Sequence, residues 1–114
     1  MPKEAILCGE LAKWPDKDQM ASILLAAGLR ISVGRYSIRL DDFSHFGFQE
    51  YGGDLGDPQI EADAESAEEL ASDAKRVSDV LADAGLVHRF EIYDDNHNEM
   101  LHYFHHGWPL DNNA

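Results

Sequence analysis

The stretch from Ser66 to Gly85, "SAEELASDAKRVSDVLADAG", leaves this chain little freedom in how it folds. Ser66 with Glu69 three positions on is the spacing of a capping box, and Gly85 supplies a left-handed stop. Between them Leu70, Ala74, Val77, Leu81 and Ala84 recur at helical spacing, opposite Glu68, Ser72, Asp73, Lys75, Asp79 and Asp83. Such a helix is stable only when its apolar stripe lies on another apolar surface, and its acidic side is an ordinary solvated face.

A shorter helix is predicted over residues 16–28, "DKDQMASILLAAG", where Asp16 caps, Gln19 reciprocates, and Met20, Ile23, Leu24 and Ala27 share a face before the stop at Gly28. The two helices end alike, "LLAAGLRIS" and "LADAGLVHR". A glycine stop followed by a leucine that folds back accounts for the match without an internal duplication.

Strand patterns fill the remainder. Ile31 and Val33 stand in one parity and Tyr36, Ile38 and Leu40 in the other, which a β-bulge at Gly34 would reconcile. Phe46 and Phe48 alternate in a second strand, "PQIEADA" forms a third, and two alternating runs around "DDNHN" read as a closing hairpin. The short run "AILC" suits a strand or a helix; with a strand there, the order is βαββ(β)αββ. The fold class expected is α+β: an antiparallel sheet of about five strands with two helices packed on one face, a ferredoxin-like or related two-layer sandwich. Residues 1–109 are expected to form one domain, followed by a disordered tail over 110–114.

Charge narrows the partners. Among 114 residues, 22 are acidic and 9 basic, a net charge of −13. That field repels phosphate, so nucleic acid and anionic lipid are disfavoured partners; Arg30, Arg35 and Arg39 come closest to a basic stripe, but Asp41 and Asp42 follow at once. No apolar run has the length of a membrane span, and the first residues read as part of the folded domain rather than as a leader. The single cysteine, Cys8, is expected to be a buried small apolar residue, and its solitude fits a reducing, cytoplasmic setting.

The segment "HYFHHGWP" places His102, His105 and His106 within five positions. As a hairpin strand it scatters them over two faces. With facing positions summing to 193, His88 meets His105, Phe90 meets Tyr103, Ile92 meets Leu101 and Glu91 meets His102. His88 and His105 are then the candidate metal ligands, without a third ligand in view, so no metal or cofactor is expected. Glu91 with His102 reads as an ion pair before it reads as a general acid and base. Trp108 is expected to fold over the sheet edge and close the core, with an exposed partner anchor as the alternative.

The loop "FQEYGGDLGDPQIEAD" gathers Glu50, Tyr51, Asp54 and Asp57 around three glycines. It lacks the oxygen-ligand spacing of an EF-hand and the lysine of a phosphate loop, and its tyrosine beside carboxylates has the composition of a recognition surface. The function expected is therefore a non-enzymatic binding module or inhibitor that presents carboxylates, Glu50, Asp54 and Asp57 among them, to a basic protein partner. In size and charge alone the chain resembles bacterial immunity proteins that neutralise basic toxins. The alternative is a small metal-dependent or acid-base enzyme using His88 with His105 and Glu91 with His102. The chain is expected to be a monomer, or a homodimer paired through an exposed edge strand.

Overall fold

The computed structural model describes residues 4–43, 45–49, 59–94 and 99–108. Its elements run β1 (Ala5–Leu11), α1 (Lys17–Ala26), β2 (Ile31–Val33), β3 (Ile38–Leu40), β4 (His45–Gln49), β5 (Gln59–Ala64), α2 (Ala67–Asp83), β6 (His88–Asp94) and β7 (Met100–His106). The strands form one sheet in the order β2-β3-β4-β5-β1-β6-β7, and every neighbouring pair is antiparallel.

Both helices form for the reasons their sequences give. At α1 the Asp16 carboxylate accepts from the Gln19 amide and the Gln19 side chain accepts from the Asp16 amide, completing the capping box. At α2 the Ser66 hydroxyl accepts from the Glu69 amide. Gly28 and Gly85 take positive φ, 87° and 77°. The following leucines then bond back alike, Leu29 N–H to Leu24 O and Leu86 N–H to Leu81 O. Met20 and Leu24 of α1 and Leu70, Ala74, Val77 and Leu81 of α2 are buried against Leu7, Ile38, Phe46, Phe48, Ile60, Phe90 and Ile92 of the sheet in one core.

The sheet has seven strands rather than about five. The segment "AILC" belongs to β1, and residues 31–40 are not one bulged strand. They form a hairpin, with Ile31 opposite Leu40 and Val33 opposite Ile38. Facing positions sum to 71, an odd number, so partners have opposite parity and share a face without any bulge. Gly34 sits in the turn, its N–H donating to Ser37 O, and Tyr36 is exposed there instead of joining the core.

A bulge does occur in β7. Tyr93 faces Met100, but Ile92 faces His102, so Leu101 is an extra residue and the pairing sum moves from 193 to 194. From there on His88 faces His106, Phe90 faces Phe104, Arg89 faces His105 and Glu91 faces Tyr103. The expected pairs His88 with His105 and Glu91 with His102 are thereby broken, and each residue is moved to the opposite face from its expected partner. Apolar residues occupy both parities of "MLHYFHH", so alternation alone does not fix the register.

Candidate functional site

The two helices lie on one face of the sheet, and the other face is bare among the described residues. Alternation assigns side chains to each. Ala5, Leu7 and Leu11 of β1 and His88, Phe90 and Ile92 of β6 point to the helices and are buried. Ile6, Cys8 and Glu10 of β1, with Arg89, Glu91 and Tyr93 of β6, point away.

His88 belongs to the covered face and is fully buried. Its Nδ1 lies 2.8 Å from Leu86 O, which only accepts, so Nδ1 carries the proton. Nε2 then accepts from the Ser78 hydroxyl of α2 at 2.6 Å. Both ring nitrogens of a neutral imidazole are satisfied, leaving no lone pair for a metal. Burial, followed by the neighbouring His106 and His105, holds its pKa below the usual histidine range, although the Leu86 carbonyl opposes the shift. The His106 ring stacks beside it at 6.1 Å.

On the bare face, strand pairing sets side chains in rows. One row runs Glu61, Cys8, Glu91, Tyr103 across β5, β1, β6 and β7. The next runs Glu10, Arg89, His105. On the other side lie His45, Asp63, Ile6 and Tyr93. Arg89 is the hub: its guanidinium donates to Glu10 Oε1 at 2.7 and 3.1 Å and to Glu91 Oε2 at 3.4 Å. The Trp108 ring lies over it at 4.9 Å, and Tyr93 O–H donates to Glu91 Oε1 at 3.0 Å. Gly107, with φ of 75°, turns the chain back after β7, and Trp108 packs on Arg89 rather than closing the core. Tyr103 stacks on His105 at 5.1 Å, and His45 pairs with Asp63 at 2.7 Å.

Cys8 is exposed in the middle of this face, not buried as expected. Partial desolvation, then the carboxylates of Glu91 and Glu61, push its thiol pKa up, so it is held as the poorly nucleophilic thiol. Hydrogen bonding to Glu91 likewise raises the Tyr93 phenol. The arrangement therefore offers acceptors and aromatic rings, with its one central guanidinium already engaged.

Glu50, Tyr51, Asp54 and Asp57, the expected recognition loop, lie outside the described residues. Among the described residues no three His, Cys, Asp or Glu side chains converge to hold a metal ion. Sequence reasoning missed the Glu10, Arg89, Glu91 and Trp108 cluster, though the parity of "AILCGEL" and "HRFEIYD" already separates its strand residues from the core. The chain was compared with protein-family models, curated proteins and solved structures, and none matches it.

Proposed function

We propose that this chain is a non-enzymatic binding module that receives a basic protein segment on the bare face of its sheet. The observation that carries the reading is the row Glu61, Cys8, Glu91, Tyr103, flanked by Glu10, Tyr93 and Trp108. Negative charge alone does not select this surface, because the outer side of α2 also carries Glu68, Glu69, Asp79 and Asp83. Aromatic anchors among carboxylates do: tyrosine and tryptophan supply binding area, and ring faces and carboxylates both attract lysine and arginine. The net charge of −13 adds long-range steering. A basic segment would meet Glu61 and Glu91 with its cations and lay its aliphatic stems on Tyr103 and Ile6.

The strand order β4-β5-β1-β6, with α2 crossing from β5 to β6, supports a ferredoxin-like core to which the β2-β3 hairpin and β7 are added. The lone cysteine supports a cytoplasmic setting.

The test is a calorimetric titration of the protein with a lysine- and arginine-rich peptide, for the wild type and for Glu61→Gln with Glu91→Gln. Saturable binding, weakened by salt and reduced roughly tenfold or more by the double substitution, is expected for two lost charge contacts of about 1 kcal/mol each. Equal binding by both proteins overturns the proposal.

A further inference from the structure

The two edges of the sheet differ in a way that singles out one of them. Edge strand β2 has three residues, Ile31–Val33, followed at once by Gly34 and Arg35. Edge strand β7 has seven, Met100–His106, and in a chain with 22 acidic residues it contains no carboxylate, no lysine and no proline. Those are the residues that ordinarily keep an edge from pairing. Three large apolar side chains stand exposed on it: Met100 at 48%, Leu101 at 37% and Tyr103 at 41%. Its bulge lies at Leu101, near one end, and leaves His102–His106 as an uninterrupted pairing run.

We infer that β7 pairs with β7 of a second copy of this chain, antiparallel about a two-fold axis, joining two seven-stranded sheets into one. Water satisfies the outward N–H and C=O groups of a free edge, and a second strand replaces those bonds with a continuous ladder. A second copy is the occupant that the charge pattern favours. Each copy carries −13, so approach is opposed least where neither presents carboxylates, and β7 is the longer of the two edges without them. The joint is isologous, placing the same aromatic and imidazole side chains on both sides of the axis. A contact between two strands of this length buries less than the roughly 1,000 Å² of a permanent interface, so association is weak and concentration-dependent.

Salt separates this contact from the basic-partner contact. Screening relieves the repulsion between two acidic copies and strengthens the dimer, whereas it weakens attraction to a cationic peptide. The test is sedimentation equilibrium from about 20 μM to about 1 mM protein, at about 50 and 500 mM salt. The weight-average mass should climb toward twice the monomer with concentration, further at the higher salt. Leu101→Lys with Tyr103→Lys should remain monomeric throughout, while Leu25→Lys, at a 57% exposed position on α1, should match the wild type. Hydrogen exchange of the unaltered protein should show the amides of residues 102–106 slower at about 1 mM than at about 20 μM, without reliance on any variant. A wild type that stays monomeric at about 1 mM in high salt overturns the inference. So does unchanged dimerisation of the double variant, or protection that rises elsewhere than in β7.

Discussion

The two faces of β6 are built from alternate residues of the same seven and behave as different materials. Toward the helices, His88, Phe90 and Ile92 are fully buried; toward solvent, Arg89, Glu91 and Tyr93 form a partly exposed polar net with Glu10 and Trp108. His88, on the first face, is a satisfied core residue whatever its chemistry suggests. A histidine on the second, such as His105, is available for contact. One bulged residue in β7 decides which histidine goes where.

The contrast breaks most visibly in stability. Phe90→Ala removes a ring packed against Phe46 and His88 and should cost about 3–5 kcal/mol in chemical denaturation. Its neighbour in sequence, Glu91→Ala, should cost about 1 kcal/mol or less, because the ion pair it loses is partly exposed. Comparable losses for the two would dissolve the distinction.

Gly9 sharpens it next. A Cβ there would come within 2.8 Å of Phe90 Cδ1 and 2.9 Å of Ile60 Cβ on the covered side. Gly9→Ala should destabilise by about 1–3 kcal/mol through overpacking, although alanine is otherwise the better strand residue. Cys8→Ala, one residue away on the bare side, should lie within about 0.5 kcal/mol of the wild type.

The buried histidine makes the third difference, in pH dependence. His88 has its folded pKa depressed, so below the unfolded value the unfolded chain binds the proton first. Its contribution is present above about pH 6.5 and is lost as the pH falls from there toward the folded pKa, with a slope of at most about 1.4 kcal/mol per pH unit. Denaturant midpoints at pH 7.5 and pH 5.5 should differ less in His88→Gln than in the wild type. Ser78→Ala, which leaves Nε2 without its donor, should cost about 1–2 kcal/mol at neutral pH. An unchanged pH profile in His88→Gln would contradict the buried, neutral assignment.

A small effect on stability is also expected at the hub of the bare face. Arg89→Lys keeps the charge but loses the planar group under Trp108, so the tryptophan emission should shift while stability changes by under about 1 kcal/mol.

Much of the covered face was legible in the sequence because helix chemistry is local. The Asp16 and Ser66 caps, the glycine stops and the stripe Leu70, Ala74, Val77, Leu81 are each set within a few residues. Pairing is not local. The turn at Gly34 gives the same parity change as a bulge, and the Leu101 bulge gives no parity signal because both faces of β7 carry apolar side chains. The single-residue shift at Leu101 sent the histidine pairs astray and hid the Glu91 to Tyr103 row. Arg89 and Glu10 are 79 positions apart, a distance over which only the sheet order makes them neighbours.

The central claim, that the bare face binds while the covered face holds the fold, is tested most directly by a nitrogen-15 chemical-shift map. The probe is the lysine- and arginine-rich peptide added to the wild-type protein. The account predicts perturbations concentrated at Cys8, Glu10, Glu61, Glu91, Tyr93, Tyr103 and the Trp108 indole, fading as salt is raised. Perturbations centred on the outer side of α2, at Glu68, Lys75 and Asp79, with the sheet face unmoved, would contradict it.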